Sequence, residues 1–244
     1  MKVQFLGSGD AFGSGGRLQS CILVENGERQ FLVDCGASAM ISLNKYGIDP
    51  NKISLIMVSN LHGDHFGGIP YFIIDAQLNQ KRKQNITLIG PTGLKKRFDQ
   101  VMEAAFPGFL KSKLSFELIK VELNPADQFV VSGMSISTFE AVSGESDIHL
   151  IYRIESQGKI FAYSGDTDWT DKLVTAAQGA DLLVAESYFY AKKVKHHLDY
   201  RTLMANYSRL GAKKVIITHM GQEMLEYLHA LHCEYAEDGK VFEF

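Results

Sequence analysis

The segment Ser59-Asn60-Leu61-His62-Gly63-Asp64-His65-Phe66-Gly67-Gly68 places two imidazoles and a carboxylate within four residues. These are the nitrogen and oxygen donors that zinc or manganese accepts. Gly63 lets the backbone bend so that its neighbours converge. Buried His and Asp are costly unless paired or metal-bound, so a cluster this dense points to metal chemistry. Two further donors follow apolar runs: Asp166 after Phe161-Ala162-Tyr163-Ser164-Gly165, and His219 after Val215-Ile216-Ile217-Thr218. Each alone has a plainer reading, an Asp capping a helix or a His closing a strand. Three such places in one chain favour a metal centre.

Donors need elements to hold them. Residues 53–58 form a continuous apolar run of strand length, as a strand buried on both faces would. The motif that follows therefore sits on a turn at a sheet's end, before a helix over 69–81. Upstream, a strand at 3–6 leads into a glycine-rich loop, and 21–24 and 30–33 form a hairpin around Glu25-Asn26-Gly27. A helix is expected over 37–46. Downstream, strands are expected at 86–89, 116–121, 128–139, 149–154, 159–163, 181–185 and 214–218. Helices are expected at 94–105, 168–177, 201–210 and 222–229, with two short strands at the end. Two face-to-face sheets with helices outside account for this pattern, with a doubly wound parallel sheet as the alternative.

The chain has 244 residues, 45% apolar and 22% charged, with a net charge of −3. That suits one globular domain over residues 1–244 and disfavours a protein that binds nucleic acid by bulk phosphate neutralisation. No apolar run reaches the ~20 residues of a membrane span, and no cationic leader opens the chain, so a cytoplasmic protein is expected. Cys21, Cys35 and Cys233 form no CxxC pair and read as buried small hydrophobes. The cluster Lys81-Arg82-Lys83 reads as the solvated end of a helix. Lys192, Lys193 and Lys195 precede His196-His197 and could face a substrate.

The order HxDH, then SGDT, then THMG resembles the metallo-β-lactamase superfamily. Leu6-Gly7-Ser8-Gly9-Asp10-Ala11-Phe12, Val33-Asp34-Cys35-Gly36 and Cys233-Glu234-Tyr235-Ala236-Glu237-Asp238-Gly239 are similar to its ribonuclease Z-like and phosphodiesterase-like branches. The resemblance implies a four-layer αββα sandwich of two mixed β-sheets, helices on the outer faces, with a two-metal site at the sheet edges. His62, Asp64, His65, Asp166 and His219 match family ligands, Asp166 as the bridging carboxylate. The family's first His of HxHxDH is Asn60 here. A further family His falls in Glu140-Ala141-Val142-Ser143-Gly144-Glu145-Ser146-Asp147, which has none; His149 reads as too far into the next strand. One site is thus complete and the other doubtful: an empty site is the simpler reading, and Asn60 with Glu145 or Asp147 as altered ligands would make an oxygen-rich one that suits Mn²⁺ better than Zn²⁺.

The implied function is a metal-dependent hydrolase of phosphodiester bonds that uses a metal-bound hydroxide. Asp64 and His197 are the catalytic candidates, since a His near neutral pKa can protonate a leaving alkoxide. Arg17 on the glycine-rich loop is the candidate contact for an anionic substrate. A small cyclic or nucleotide phosphodiester is the expected substrate. tRNA is less expected because no long insertion could form a tRNA-binding arm. No membrane partner is expected, and a homodimer is allowed. The alternative is a non-catalytic binding protein with a degenerate metal site.

Overall fold

Strand by strand, side chains divide between two faces with period two. In β1 (Lys2–Gly7), Val3 and Phe5 join one apolar cluster and Leu6 another. In β2 (Cys21–Asn26), Ile22 and Val24 part from Cys21 and Leu23; in β3 (Arg29–Val33), Phe31 and Val33 part from Leu32. Both faces are therefore apolar, and each must be covered. The helices α1 (Ala39–Lys45), α2 (Gly63–Phe66), α3 (Ile69–Leu78) and α4 (Leu94–Ala105) lie among the connections between β3, β4 (Ile53–Met57), β5 (Ile86–Pro91) and β6 (Leu118–Leu123). Leu43, Phe72, Ile73 and Phe98 from α1, α3 and α4 cover the outer face.

The second half repeats the logic. Its strands are β7 (Gln128–Val131), β8 (Met134–Glu140), β9 (Leu150–Ser156), β10 (Lys159–Tyr163), β11 (Leu182–Glu186), β12 (Val215–Thr218) and β13 (Glu234–Tyr235). Tyr152, Phe161, Val184 and Ile216 meet the first sheet's inner face. Ala162, Leu183 and Ile217 turn outward to α5 (Asp171–Ala177), α6 (Tyr200–Ala205), α7 (Tyr207–Leu210) and α8 (Gln222–Leu225). A last strand, β14 (Val241–Glu243), returns to pair with β1. The sheet orders are β14-β1-β2-β3-β4-β5-β6 and β13-β12-β11-β10-β9-β8-β7, each mixing parallel and antiparallel pairs. This computed structural model, which describes residues 1–144 and 148–244, is thus an αββα sandwich and not a doubly wound sheet. Among the described residues no helix is long and apolar enough to cross a membrane.

Four expectations change. The strand expected over 128–139 is a hairpin, because Ser132 and Gly133 both take positive φ (51° and 72°), as a tight two-residue turn requires. The helix over 201–210 breaks at Asn206, whose side chain bonds the Thr202 carbonyl and whose φ/ψ of −110°/7° leave the helical region. The helix over 222–229 ends at Leu225, with a separate 3-10 turn at Leu228–Ala230. Arg82 is not solvated: α3 ends at Leu78, and the guanidinium turns inward to donate to the carbonyls of Gln84, Pro50 and Ile53 at 2.7, 3.0 and 2.8 Å.

Candidate metal centre and general-acid pair

Four strand ends meet at one edge of the sandwich. After β4, the chain runs through Ser59 and Asn60 to His62, which caps the single turn α2 bearing Asp64 and His65. Asp166 follows β10 and His219 follows β12. Asp34 after β3 and His219 hold φ of 59° and 57°, a region non-glycine residues rarely occupy. Such strained positions cluster where function needs a side chain aimed against local preference. Gly165 (φ 55°) lets its loop pack on Ser59, whose Cβ a side chain at 165 would meet at 2.7 Å.

Asp64, His65, Asp166 and His219, all buried, offer ligand atoms that lie within 4.8 Å of one another. His65 Nε2 is 3.0 Å from Asp166 Oδ2 and 3.3 Å from Asp64 Oδ2. His219 Nε2 is 3.1 Å from Asp64 Oδ2 and 3.6 Å from Asp166 Oδ1. Ligands at ~2.1 Å from a tetrahedral ion stand ~3.4 Å apart, so these spacings fit a shared cation. His65 Nε2 and Asp166 Oδ1 also lack an aligned hydrogen bond despite this crowding. Two such unpartnered atoms in a cluster otherwise joined by the His219–Asp64 hydrogen bond fit a cation site, and the donor set suits a divalent metal.

Electrostatics agree. Burial alone would raise both carboxyls, but the neighbouring imidazoles overcome it and hold Asp64 and Asp166 well below the usual carboxylate range. Burial would likewise lower the imidazoles, yet Asp166 and its neighbours outweigh it. His219 rises to about 9, and His65 rises well above its ordinary value. Without a cation, two protons thus balance two buried carboxylates.

Asp34 holds His65 in place from behind. Its Oδ2 accepts from His65 Nδ1 at 2.7 Å, from Tyr163 Oη at 2.6 Å and from Ser59 Oγ at 3.1 Å. Its Oδ1 accepts from the Ser59 amide at 2.8 Å. The carboxylate thereby sets the tautomer of His65 and leaves Nε2 for the metal.

Beside this cluster stands a pair only half legible in the sequence. His197 Nδ1 bonds Glu186 Oε2 at 3.0 Å, and with His219 the two offer atoms within 4.8 Å of one another. Glu186, buried at the end of β11, also accepts from the Thr167 amide. Sequence reading missed Glu186, although it follows the apolar run Leu182-Leu183-Val184-Ala185 just as Asp166 and His219 follow theirs. Burial raises the Glu186 carboxyl, against the hydrogen bond from His197. Burial would lower His197, but the bond to Glu186 and the charges of Glu186 and Asp166 raise it. Tyr188 stacks on His197 at 4.6 Å and reaches Asp10 Oδ2 at 3.2 Å, tying the glycine-rich loop to this wall. Lys192, Lys193 and Lys195 are exposed on the segment leading to His197.

The remaining candidates go elsewhere. His62 lies outside the compact cluster, its ring edge-on to His149 with centroids 5.0 Å apart. Asn60 does not offer its amide oxygen to a metal. Its Oδ1 accepts from the His62 amide at 2.9 Å and so shapes the turn. Asn60→Ala is accordingly expected to cost about 1–3 kcal/mol in stability while leaving metal content unchanged; calorimetry with elemental analysis checks both. Arg17, partly exposed, leans on the C-terminal segment, its Nη1 donating to Ala236 O at 2.5 Å and Ser8 Oγ at 3.2 Å. Glu145 and Asp147 lie outside the described residues. His149 does not lie within the strand: β9 begins at Leu150, and the imidazole is buried beside His62.

Comparison with known proteins gives a matching picture. A family model described as Anti-Pycsar protein Apyc1 matches residues 1–242. Ribonuclease Z of Pediococcus pentosaceus is 34% identical over 128 residues, covering 50% of this chain and 39% of that one. Ribonuclease Z of Bacillus velezensis is 23% identical over 301 residues, covering 100% of this chain and 97% of that one. Human tRNase Z, short form, superposes with a TM-score of 0.83 at 23% identity, covering 100% of this chain and 99% of that one. The expectation that tRNA is disfavoured finds no support in these relatives.

Proposed function

Because the chain belongs to the Anti-Pycsar protein Apyc1 family, on the ribonuclease Z-like branch of the metallo-β-lactamase fold, it is a metal-dependent hydrolase, and we propose that it cleaves phosphodiester bonds in a small cyclic or nucleotide substrate. The observation that carries this reading is the pairing of a compact cation cluster with a general-acid pair that shares His219. Asp64, His65, Asp166 and His219 would hold zinc or manganese, which when bound supplies Lewis-acid stabilisation of charge developing at phosphorus.

The protein's own residues do the rest. Asp34 keeps His65 oriented. Glu186 anchors the Nδ1 proton of His197 and leaves its Nε2 to carry a proton toward the departing alkoxide. Raised above its ordinary value, His197 holds that proton more readily near neutral pH. The lysines at 192, 193 and 195 bring positive charge near an anionic substrate. Asp64, wedged between His65 and His219, acts as a ligand and not as a free base.

The small-substrate reading draws on chain length. Aligning these 244 residues with the Bacillus velezensis relative takes 301 positions, so that relative carries segments this chain lacks. The non-catalytic alternative rested on two lost ligands, and it loses force with an intact cluster and a histidine present at His149.

The test is hydrolysis of a cyclic nucleoside monophosphate, an aryl phosphodiester and a precursor tRNA by metal-loaded protein. Turnover of the first two without cleavage of the third is expected. Processing of the tRNA alone would overturn the substrate reading, and no turnover of any would overturn the phosphodiesterase reading.

A further inference from the structure

Tyr188 stands where three separate chain segments meet. Its amide donates to Leu198 O at 2.9 Å, and its carbonyl accepts from the Gly221 amide at 3.0 Å. Its own backbone therefore joins the segment bearing His197 to the segment bearing His219. The ring lies against Gly221, where a Cβ would meet its Cε1 at 2.9 Å and its Cζ at 3.1 Å. Phe189 closes edge-on, with centroids 4.7 Å apart and planes at 68°. The hydroxyl donates to Asp10 Oδ2 at 3.2 Å. Asp10 is itself fixed, because its carboxylate also accepts from the Phe12 and Ser14 amides and from Ser14 Oγ. Burial and the charge of Asp10 push the phenol up to about 12, so it stays a donor to that carboxylate.

The ring braced in this way is the surface on which His197 rests, with centroids 4.6 Å apart and planes at 28°. His197 sits on a loop, not on a strand or helix. Its amide donates to Val194 O at 3.3 Å, and the preceding His196 takes a φ of 75°. Glu186 grips the imidazole at Nδ1, at 3.0 Å. One hydrogen bond fixes one atom and leaves the ring free to swing about it. A flat aromatic surface supplies the missing constraint, because offset stacking holds the two planes near parallel.

We propose that Tyr188, braced by Asp10 and Gly221, is a positioning residue that fixes the plane of the His197 imidazole and so aims its Nε2 at the departing oxygen. It touches no substrate atom in this role. Its effect is confined to the step in which His197 gives up a proton as the P–O bond breaks. Misplacing a catalytic group by about 1 Å costs up to ~10²-fold in rate. The inference rests on the general-acid reading of His197, and the experiment separates the two.

Metal-loaded full-length protein is assayed on two aryl phosphodiesters that differ in their leaving group. Diphenyl phosphate releases a phenolate that needs a proton, whereas bis(p-nitrophenyl) phosphate releases a stabilised anion that does not. In Tyr188→Leu, kcat on diphenyl phosphate is expected to fall ~10–100-fold and kcat on the nitrophenyl ester less than ~3-fold, with KM and metal content close to wild type. Tyr188→Phe keeps the ring and is expected to recover most of the lost turnover. Gly221→Ala displaces the ring without removing it and is expected to give the same split, which decides the matter if Tyr188→Leu folds poorly. Equal losses on both esters in Tyr188→Leu and Gly221→Ala, or a Tyr188→Phe as slow as Tyr188→Leu, would overturn the inference. His197→Ala is the reference. If it shows the split and the Tyr188 and Gly221 variants do not, only the positioning role falls. If His197→Ala loses equally on both esters, the general-acid reading falls and the inference with it.

Discussion

Asp166→Ala is expected to abolish hydrolysis, by a factor of ~10³ or more, and to strip the protein of bound metal. The magnitude follows from the several kcal/mol a cation contributes to charge stabilisation at phosphorus. Asp166 touches both histidines of the compact cluster, at 3.0 Å to His65 and 3.6 Å to His219, and its loss leaves that cluster a single carboxylate, Asp64. Elemental analysis and turnover should fall together. Retention of wild-type metal content by the variant would show that the cluster is not the metal centre. Proton release gives a second measure. In the metal-free protein His219 has a pKa of about 9 and His65 lies above its ordinary value, so both carry protons at neutral pH. Cation binding must displace these protons. Calorimetric titration at pH 7 in buffers of different ionisation enthalpy should report ~2 protons released, and apparent affinity should fall as pH is lowered.

His197→Ala is expected to lower kcat by ~10²–10⁴ with metal content unchanged, as removal of a general acid does. Glu186→Gln probes the same group through its pKa. The Glu186 hydrogen bond and charge raise His197 against the opposing effect of burial. Replacing the carboxylate with a neutral amide removes that support, so the His197 pKa falls. A general acid works while protonated, so the alkaline limb of the kcat profile should move to lower pH in Glu186→Gln. The comparison between variant and wild type holds whatever the bound cation adds to both profiles. A limb that stays in place would remove Glu186 from its positioning role. Loss of metal in His197→Ala would make His197 a ligand instead, as its closeness to His219 allows.

Residues whose partners are near in sequence were readable without coordinates. Asp64 and His65 fall on one helical turn capped by His62, so their convergence is local geometry. Asp166 and His219 follow apolar runs that could only be buried strands, and a polar residue at such a strand end lies at the edge of a sheet. Period-two apolar patterning on both faces of β1, β2 and β3 likewise demanded cover on each side, but a sandwich and a doubly wound sheet both supply it, and only the pairing into two sheets decides between them.

Tertiary structure decided where long-range partners stand. Asn60 occupies a family ligand position, but its oxygen is taken by the His62 amide. Arg17 meets the chain's far end at Ala236, a contact no local spacing announces. Glu186 needed His197 across a loop before it had a role, and His149 needed the join between Leu150 and Ser59 to reach the metal edge. Sequence spacing reports contacts within one turn or along one strand. Which strand ends meet depends on the order in which two sheets assemble, and no local pattern encodes that order.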